Sequence, residues 1–191
     1  MAVGGWIVWR WRASSPSDEV MVRDQDAAGA GQDTRFGKRY YASLSQCLGD
    51  WRAMWDHREL MRESMHSIDP AFRTRLMLAV TQVNGCRYCS FYHARVGLQE
   101  GLTQDEIDAL LAGISPDMGD TIPEDQAVAL FYAQHWAETH GMPEAAANER
   151  LFDTYGSALA EQIQMLLRAI SMGNLMGNTL DYVLFRLHGG A

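Results

Sequence analysis

A chain of 191 residues, 47% apolar and 21% charged, has the size and composition of one globular domain with room for an extra arm. Its formal net charge is −8, with 24 acidic against 16 basic residues, which excludes a nucleic-acid surface because phosphate binding needs clustered positive charge. Three cysteines are too few for a disulfide scaffold, and no run of about 18 apolar residues exists to span a membrane.

Residues 1–34 carry Ser14-Ser15-Pro16-Ser17 and the small, polar run from Asp26 to Gly31, with no periodicity; they read as a poorly ordered N-terminal arm. Trp6, Trp9 and Trp11 could tuck against a partner subunit or stay exposed. The basic cluster Arg10, Arg12, Arg35, Lys38 and Arg39 reads as a solvated face. The segment Trp6–Arg12 is too short and too charged for a signal-peptide core, and it reads as an upstream extension with Met21 as an alternative start. Residues 35–191 read as one helical domain.

Over about 36–57, Tyr40, Leu44, Cys47, Leu48, Trp51 and Trp55 recur at helical spacing, predicting an amphipathic helix in which Cys47 is a small buried hydrophobe. A short helix follows over 59–65. Asp69-Pro70 supplies an N-cap and a first-turn proline for a third helix, which Asn84-Gly85 ends with residues that tolerate positive φ. A fourth helix runs from about Cys86 to Glu100, and Thr103 with Glu106 forms a capping box for a fifth. Pro123 opens a helix closing near His140, Pro143 opens one that Gly156 ends, and the last runs over about 158–187. Gly173 and Gly177 lie inside that last helix, each costing about 1 kcal/mol against Ala, which predicts a closely crossing neighbour. No stretch alternates with period two. The expected fold is all-α, with six to eight helices and Met-rich stripes as core filler.

Chemistry concentrates at Cys86-Arg87-Tyr88-Cys89-Ser90-Phe91-Tyr92-His93. On a helix, at about 100° per residue, Cys86, Cys89 and His93 fall within about a 60° arc. The positive end of the helix dipole favours thiolate there, the two cysteines are close enough to bridge, and the histidine can move a proton. Gly97 continues the stripe and leaves room for another helix or a substrate. Three ligands on one helix, with Cys47, His57 or His66 as a fourth, could instead hold structural zinc, although this is not the usual knuckle geometry. Haem c attachment fails because Ser90, not histidine, follows the second cysteine, and thioredoxin is disfavoured because no strand precedes the motif. Two buried cysteines with a core histidine is the bland alternative. A C-x-x-C in a chain with an odd cysteine count fits a reducing cytoplasm.

Taken from Leu78 to His93, the segment resembles the core motif of the AhpD-like alkylhydroperoxidases, within the carboxymuconolactone decarboxylase superfamily. The resemblance continues through Gly101-Leu102-Thr103 and Ile107-Leu110-Leu111, and more loosely to about Leu187. It implies an all-helical AhpD-like fold, assembly as trimers or hexamers, and no cofactor or metal. It also implies that Cys89 attacks a small peroxide, that Cys86 resolves the sulfenic acid to a disulfide, and that His93 belongs to a proton relay. A dithiol reductant protein or a small thiol then restores the dithiol. The family's relay also has a glutamate twelve residues before the first cysteine, where this chain has Thr74. Losing such a base typically costs about 10²–10⁴ in rate. His135 and Glu138, i,i+3 on the helix after Pro123, are candidates to replace it, with Glu124 weaker. The expected activity is therefore thiol-dependent peroxide reduction or disulfide exchange. A non-catalytic redox sensor or oligomerising module stays open, as does cofactor-free lyase or isomerase chemistry on the same scaffold.

Overall fold

The computed structural model describes residues 36–115 and 122–188, and those from Lys38 onward belong to one compact unit. The arm expected over 1–34, with its three tryptophans, lies outside the described residues. Seven helices are present among the described residues and no strand: α1 Leu44–Asp56, α2 Arg58–Ser67, α3 Pro70–Asn84, α4 Arg87–Gln99, α5 Gln104–Ala112, α6 Glu124–Glu138 and α7 Ala145–Leu187. The expectation of an all-α fold with six to eight helices holds among the described residues. No described helix is long and apolar enough to cross a membrane.

Helix α3 is the axle. It packs against α4, α5, α6 and α7, and accordingly reads as apolar almost all round, with Leu76, Leu78 and Val80 fully buried. Its N-terminus is fixed by Asp69, whose carboxylate accepts from the Phe72 N–H at 3.0 Å, followed by Pro70 in the first turn. Its C-terminus is Gly85 at φ 66°, the left-handed turn that Asn84-Gly85 predicts. Ile107, Leu110, Leu130, Leu151, Ile163 and Leu166 complete the core around it.

Several boundaries differ from the sequence reading, each for a local reason. The first helix starts at Leu44, where Ser43 caps it, rather than near Phe36; Tyr41 before it donates its N–H to Thr179 Oγ1 at 3.0 Å. Cys47 is only half-buried, not part of the core. Thr103 caps α5 as expected, but Glu106 does not complete the box. Its buried carboxylate pairs with Arg75 on α3, a stronger partner than a backbone N–H. The chain from Ala145 to Leu187 is continuous by its hydrogen bonds, yet Gly156 at φ 73° and ψ 166° breaks it at the position expected for a helix end.

A polar ladder fastens the end of α3 to α7. Asn174 donates to Thr81 Oγ1 at 3.1 Å, Asn84 donates to Asn174 Oδ1 at 3.4 Å, and Asn178 donates to the Asn84 carbonyl at 2.7 Å and the Arg39 carbonyl at 2.9 Å. All of these side chains are buried, so breaking the ladder leaves polar groups desolvated and unpaired. Replacing Asn178 by Leu removes both carbonyl contacts; urea unfolding of this variant is expected to show a loss of about 1–3 kcal/mol, and an unchanged midpoint would refute the clamp.

Candidate functional site

The left-handed turn at Gly85 swings the chain out of α3, so that Cys86 takes an extended conformation, φ −78° and ψ 102°, and becomes the N-cap of α4. It is not inside the helix, as the stripe reading assumed. Its sulfur does what a serine oxygen does at such a position, accepting the Cys89 N–H at 3.3 Å. One turn along, Cys89 brings its own sulfur to bonding distance, and the two form a disulfide with Cα atoms 5.3 Å apart. Cys86 is wholly buried, whereas Cys89 is partly exposed. Access therefore distinguishes the two sulfurs.

Helix α7 forms the wall behind them. A Cβ on Gly177 would lie 2.7 Å from Cys86 Sγ, 3.5 Å from the Tyr88 ring and 3.8 Å from Cys89 Sγ. This is the close crossing that the in-helix glycines predict. Gly173 does not share it, since nothing lies within 4 Å of its Cβ position. One turn beyond Gly177, the buried Asp181 carboxylate pairs with Lys38 Nζ at 3.2 Å and with Arg87 Nη2 at 2.6 Å, and it is hydrogen-bonded by Tyr88. Arg87 also donates to the Tyr88 hydroxyl at 2.8 Å. Burial alone would push the Asp181 carboxyl up. The Tyr88 and Lys38 hydrogen bonds and the two cations outweigh it and hold the group below the usual carboxylate range. These charged neighbours escaped sequence reasoning, although Asn174, Asn178 and Asp181, at i, i+4 and i+7 of α7, fall on one helix face and are a legible polar stripe.

His93 lies two turns into α4, half-buried, with its ring edge-on to Tyr92 at 5.1 Å between centroids. Burial pushes its pKa down to about 4, and no carboxylate opposes that shift. At neutral pH the ring is therefore an uncharged acceptor. Gly97, the next position on the stripe, admits neither substrate nor a foreign helix. Its Cβ position is crowded by Leu102, Thr74 and Ile107 at 3.2–3.4 Å, so it serves the seating of α4 on α3 and α5.

Thr74 is buried and donates its hydroxyl to the Glu100 carboxylate, which also accepts from Arg73 at 3.3 Å. A carboxylate thus stands beside Thr74, but it belongs to the far end of α4, seven residues and about 10 Å of helix beyond His93. The proposed substitutes are engaged elsewhere. His135 Nε2 meets Glu144 Oε2, Glu138 accepts from Gln134 at 3.1 Å, and Glu124 is exposed in the first turn of α6. None of the three is bonded to His93 or to either cysteine. His57 and His66 each bond a carbonyl of their own helix, Ala53 and Arg62, and no group of metal-binding side chains is assembled among the described residues.

Residues 52–133 match the model of the carboxymuconolactone decarboxylase family. The match runs from within α1 to within α6 and includes the dithiol motif, but not α7 with Gly177 and Asp181. No curated protein and no solved structure matches the chain.

Two outcomes follow from this geometry. Gly177→Ala forces a methyl against Cys86 Sγ, an overpacking that costs about 1–3 kcal/mol, which exceeds the roughly 1 kcal/mol alanine gains in a helix. Thermal melts should therefore show net destabilisation, not the gain usual for Gly→Ala in a helix. Because His93 binds its proton more weakly folded than unfolded, the unfolded chain holds more protons between about pH 4 and the ordinary histidine value near 6.5. Stability should fall as pH drops through that window, and His93→Gln should flatten that part of the profile.

Proposed function

We propose that this protein is a thiol-dependent oxidoreductase, reducing a small peroxide or exchanging disulfides through Cys89 and Cys86, on a scaffold whose residues 52–133 match the carboxymuconolactone decarboxylase family. The observation that carries this reading is the asymmetry of the pair: one sulfur buried at a helix N-cap, the other accessible one turn later, at bonding distance from the first.

The asymmetry supports a division of roles. A peroxide must reach the sulfur that attacks it, which favours the more exposed Cys89 as the nucleophile. Its thiol proton passes to neutral His93; the thiolate then attacks the peroxide, the O–O bond breaks, and the alkoxide leaves with the proton returned by the imidazolium. The products are an alcohol and a Cys89 sulfenic acid. Cys86, whose thiolate is favoured by the Cys89 N–H and the helix dipole, displaces hydroxide from that sulfenic sulfur; with a proton, this gives water and the disulfide. An external dithiol returns two electrons and two protons through a mixed disulfide at Cys89 and leaves as its own disulfide. No cofactor or metal enters this sequence.

Thr74 favours a second reading. Without an acid bonded to His93, the site could oxidise once and rest, as a redox-sensing module does. The two readings part on turnover. Purified protein is expected to lose two free thiols on one equivalent of peroxide. Cys89→Ser should abolish this, while Cys86→Ser should stop at a sulfenic acid trapped by dimedone. Repeated consumption of peroxide with a dithiol reductant supports the enzyme, oxidation without turnover supports the sensor, and unreactive cysteines in the native protein would sink both.

A further inference from the structure

Two walls close on the wholly buried Cys86. One is Gly177 of α7. The other is the run of chain before α1, residues 38–41, which has no helical structure of its own. It lies along α7. The Asn178 amide donates to the Arg39 carbonyl at 2.9 Å, and the Tyr41 N–H donates to Thr179 Oγ1 at 3.0 Å. Lys38 Nζ pairs with Asp181 at 3.2 Å, and the Tyr40 and Tyr182 rings stack with centroids 3.9 Å apart.

The same α7 side chains hold the dithiol turn. Asn178 also donates to the Asn84 carbonyl, and Asp181 also pairs with Arg87. The Lys38 stem lies over the turn itself, with Cγ, Cδ and Cε 3.7–3.9 Å from the Gly85 Cβ position. Residues 84, 85 and 87 are thus tied to this segment, directly or through one α7 side chain, and Cys86 is the residue they enclose. From this we infer that residues 38–41 form a strap that keeps solvent from Cys86 and so decides which sulfur of the pair reacts.

Of the two walls, the strap is the one able to open. Among residues 38–56 only Tyr41 is buried, and its hydroxyl bonds Asp50 of α1. Helix α7 beside it buries Asn174, Leu175, Asn178 and Asp181. Segments that bury little surface open locally at a lower free energy than the packed core does.

The inference rests on the proposed redox reading for its chemical consequence. With the strap closed, an incoming thiolate bonds to the Cys89 sulfur, the bond between the cysteines breaks, and Cys86 leaves with the electron pair as a thiolate. With it open, attack at Cys86 releases Cys89 instead, and the two cysteines no longer have distinct roles. Lys38, Tyr40 and Tyr182 are positioning residues, acting through the strap rather than on the sulfurs.

The test is brief alkylation of the reduced, full-length protein with iodoacetamide, with each cysteine followed by peptide mass. In the wild type Cys89 is expected to react at least about tenfold faster than Cys86. Lys38→Ser and Tyr182→Ala, which loosen the strap from opposite sides, should each cut that preference to about threefold or less with helical circular dichroism unchanged. Tyr182→Phe keeps the stacked ring and should keep the preference. A measurement on the wild type alone stands whether or not the variants fold. The slowing of Cys86 alkylation relative to an unfolded thiol should match the hydrogen-exchange protection of the Tyr41 amide, and fall well short of that of the buried α3 amides. Equal alkylation of both cysteines in the wild type, a preference untouched in folded Lys38→Ser and Tyr182→Ala, or Cys86 protection equal to that of α3 would overturn the strap. Peroxide is absent from all of these measurements, so the two ideas fail separately. Strap-dependent protection in a protein whose cysteines ignore peroxide would count against the proposed activity and leave the strap standing.

Discussion

The distance between α7 and the N-cap of α4 is the constraint on which the site depends. Cys86 can be buried with its sulfur turned toward Cys89 only because residue 177 has no side chain. A glycine inside a helix costs about 1 kcal/mol against alanine, and steric overlap from a methyl at that spacing costs more, so glycine is the cheaper choice. The asparagine ladder then holds α7 at this distance, since Asn174 and Asn178 both reach the last turn of α3, from which the motif departs. Asp181, tied to Lys38 and Arg87, closes the same approach one turn further along. Backbone geometry, buried polar bonds and an ion network thus converge on one short segment.

Holding the two sulfurs in unlike surroundings has a chemical consequence. The Cys89 N–H and the positive end of α4 face the buried Cys86 sulfur, while Cys89 is the more exposed of the pair. Burial keeps the His93 imidazole uncharged at neutral pH, and lowering its pKa to about 4 also makes it a weaker base than an ordinary histidine.

The helices, the dithiol and the close crossing were legible in the sequence because each leaves a local signature: apolar periodicity, Asp69-Pro70, Asn84-Gly85, and glycines where a helix former would be expected. What escaped depended on tertiary context. Cys86 reads as helical by spacing and becomes an N-cap because the αL turn before it redirects the chain. Glu106 reads as half of a capping box and is taken by Arg75 from another helix. The α1 stripe reads as core and lies on the surface, since periodicity says only that a face is apolar, not whether its own protomer covers it. Lys38 and Asp181 are separated by most of the domain, and no local rule pairs them.

Thr74 shows how far a substitution in a packed interior can propagate. A glutamate at that position would need room beside Gly97, and none remains: Thr74 Cγ2 already sits 3.3 Å from the Gly97 Cβ position, with Leu102 and Ile107 equally close. Threonine fills the niche, and its hydroxyl is satisfied by Glu100 from the end of the neighbouring helix. Glu100 in turn ties Arg73 to the same carboxylate, so α3 and α4 are fastened at the end opposite the dithiol. The interior beside Gly97 is thus a structural joint between α3 and α4. That joint carries a buried carboxylate paired with Arg73 and Thr74, so the acid beside Thr74 serves packing between α3 and α4 at the end of α4 away from the dithiol.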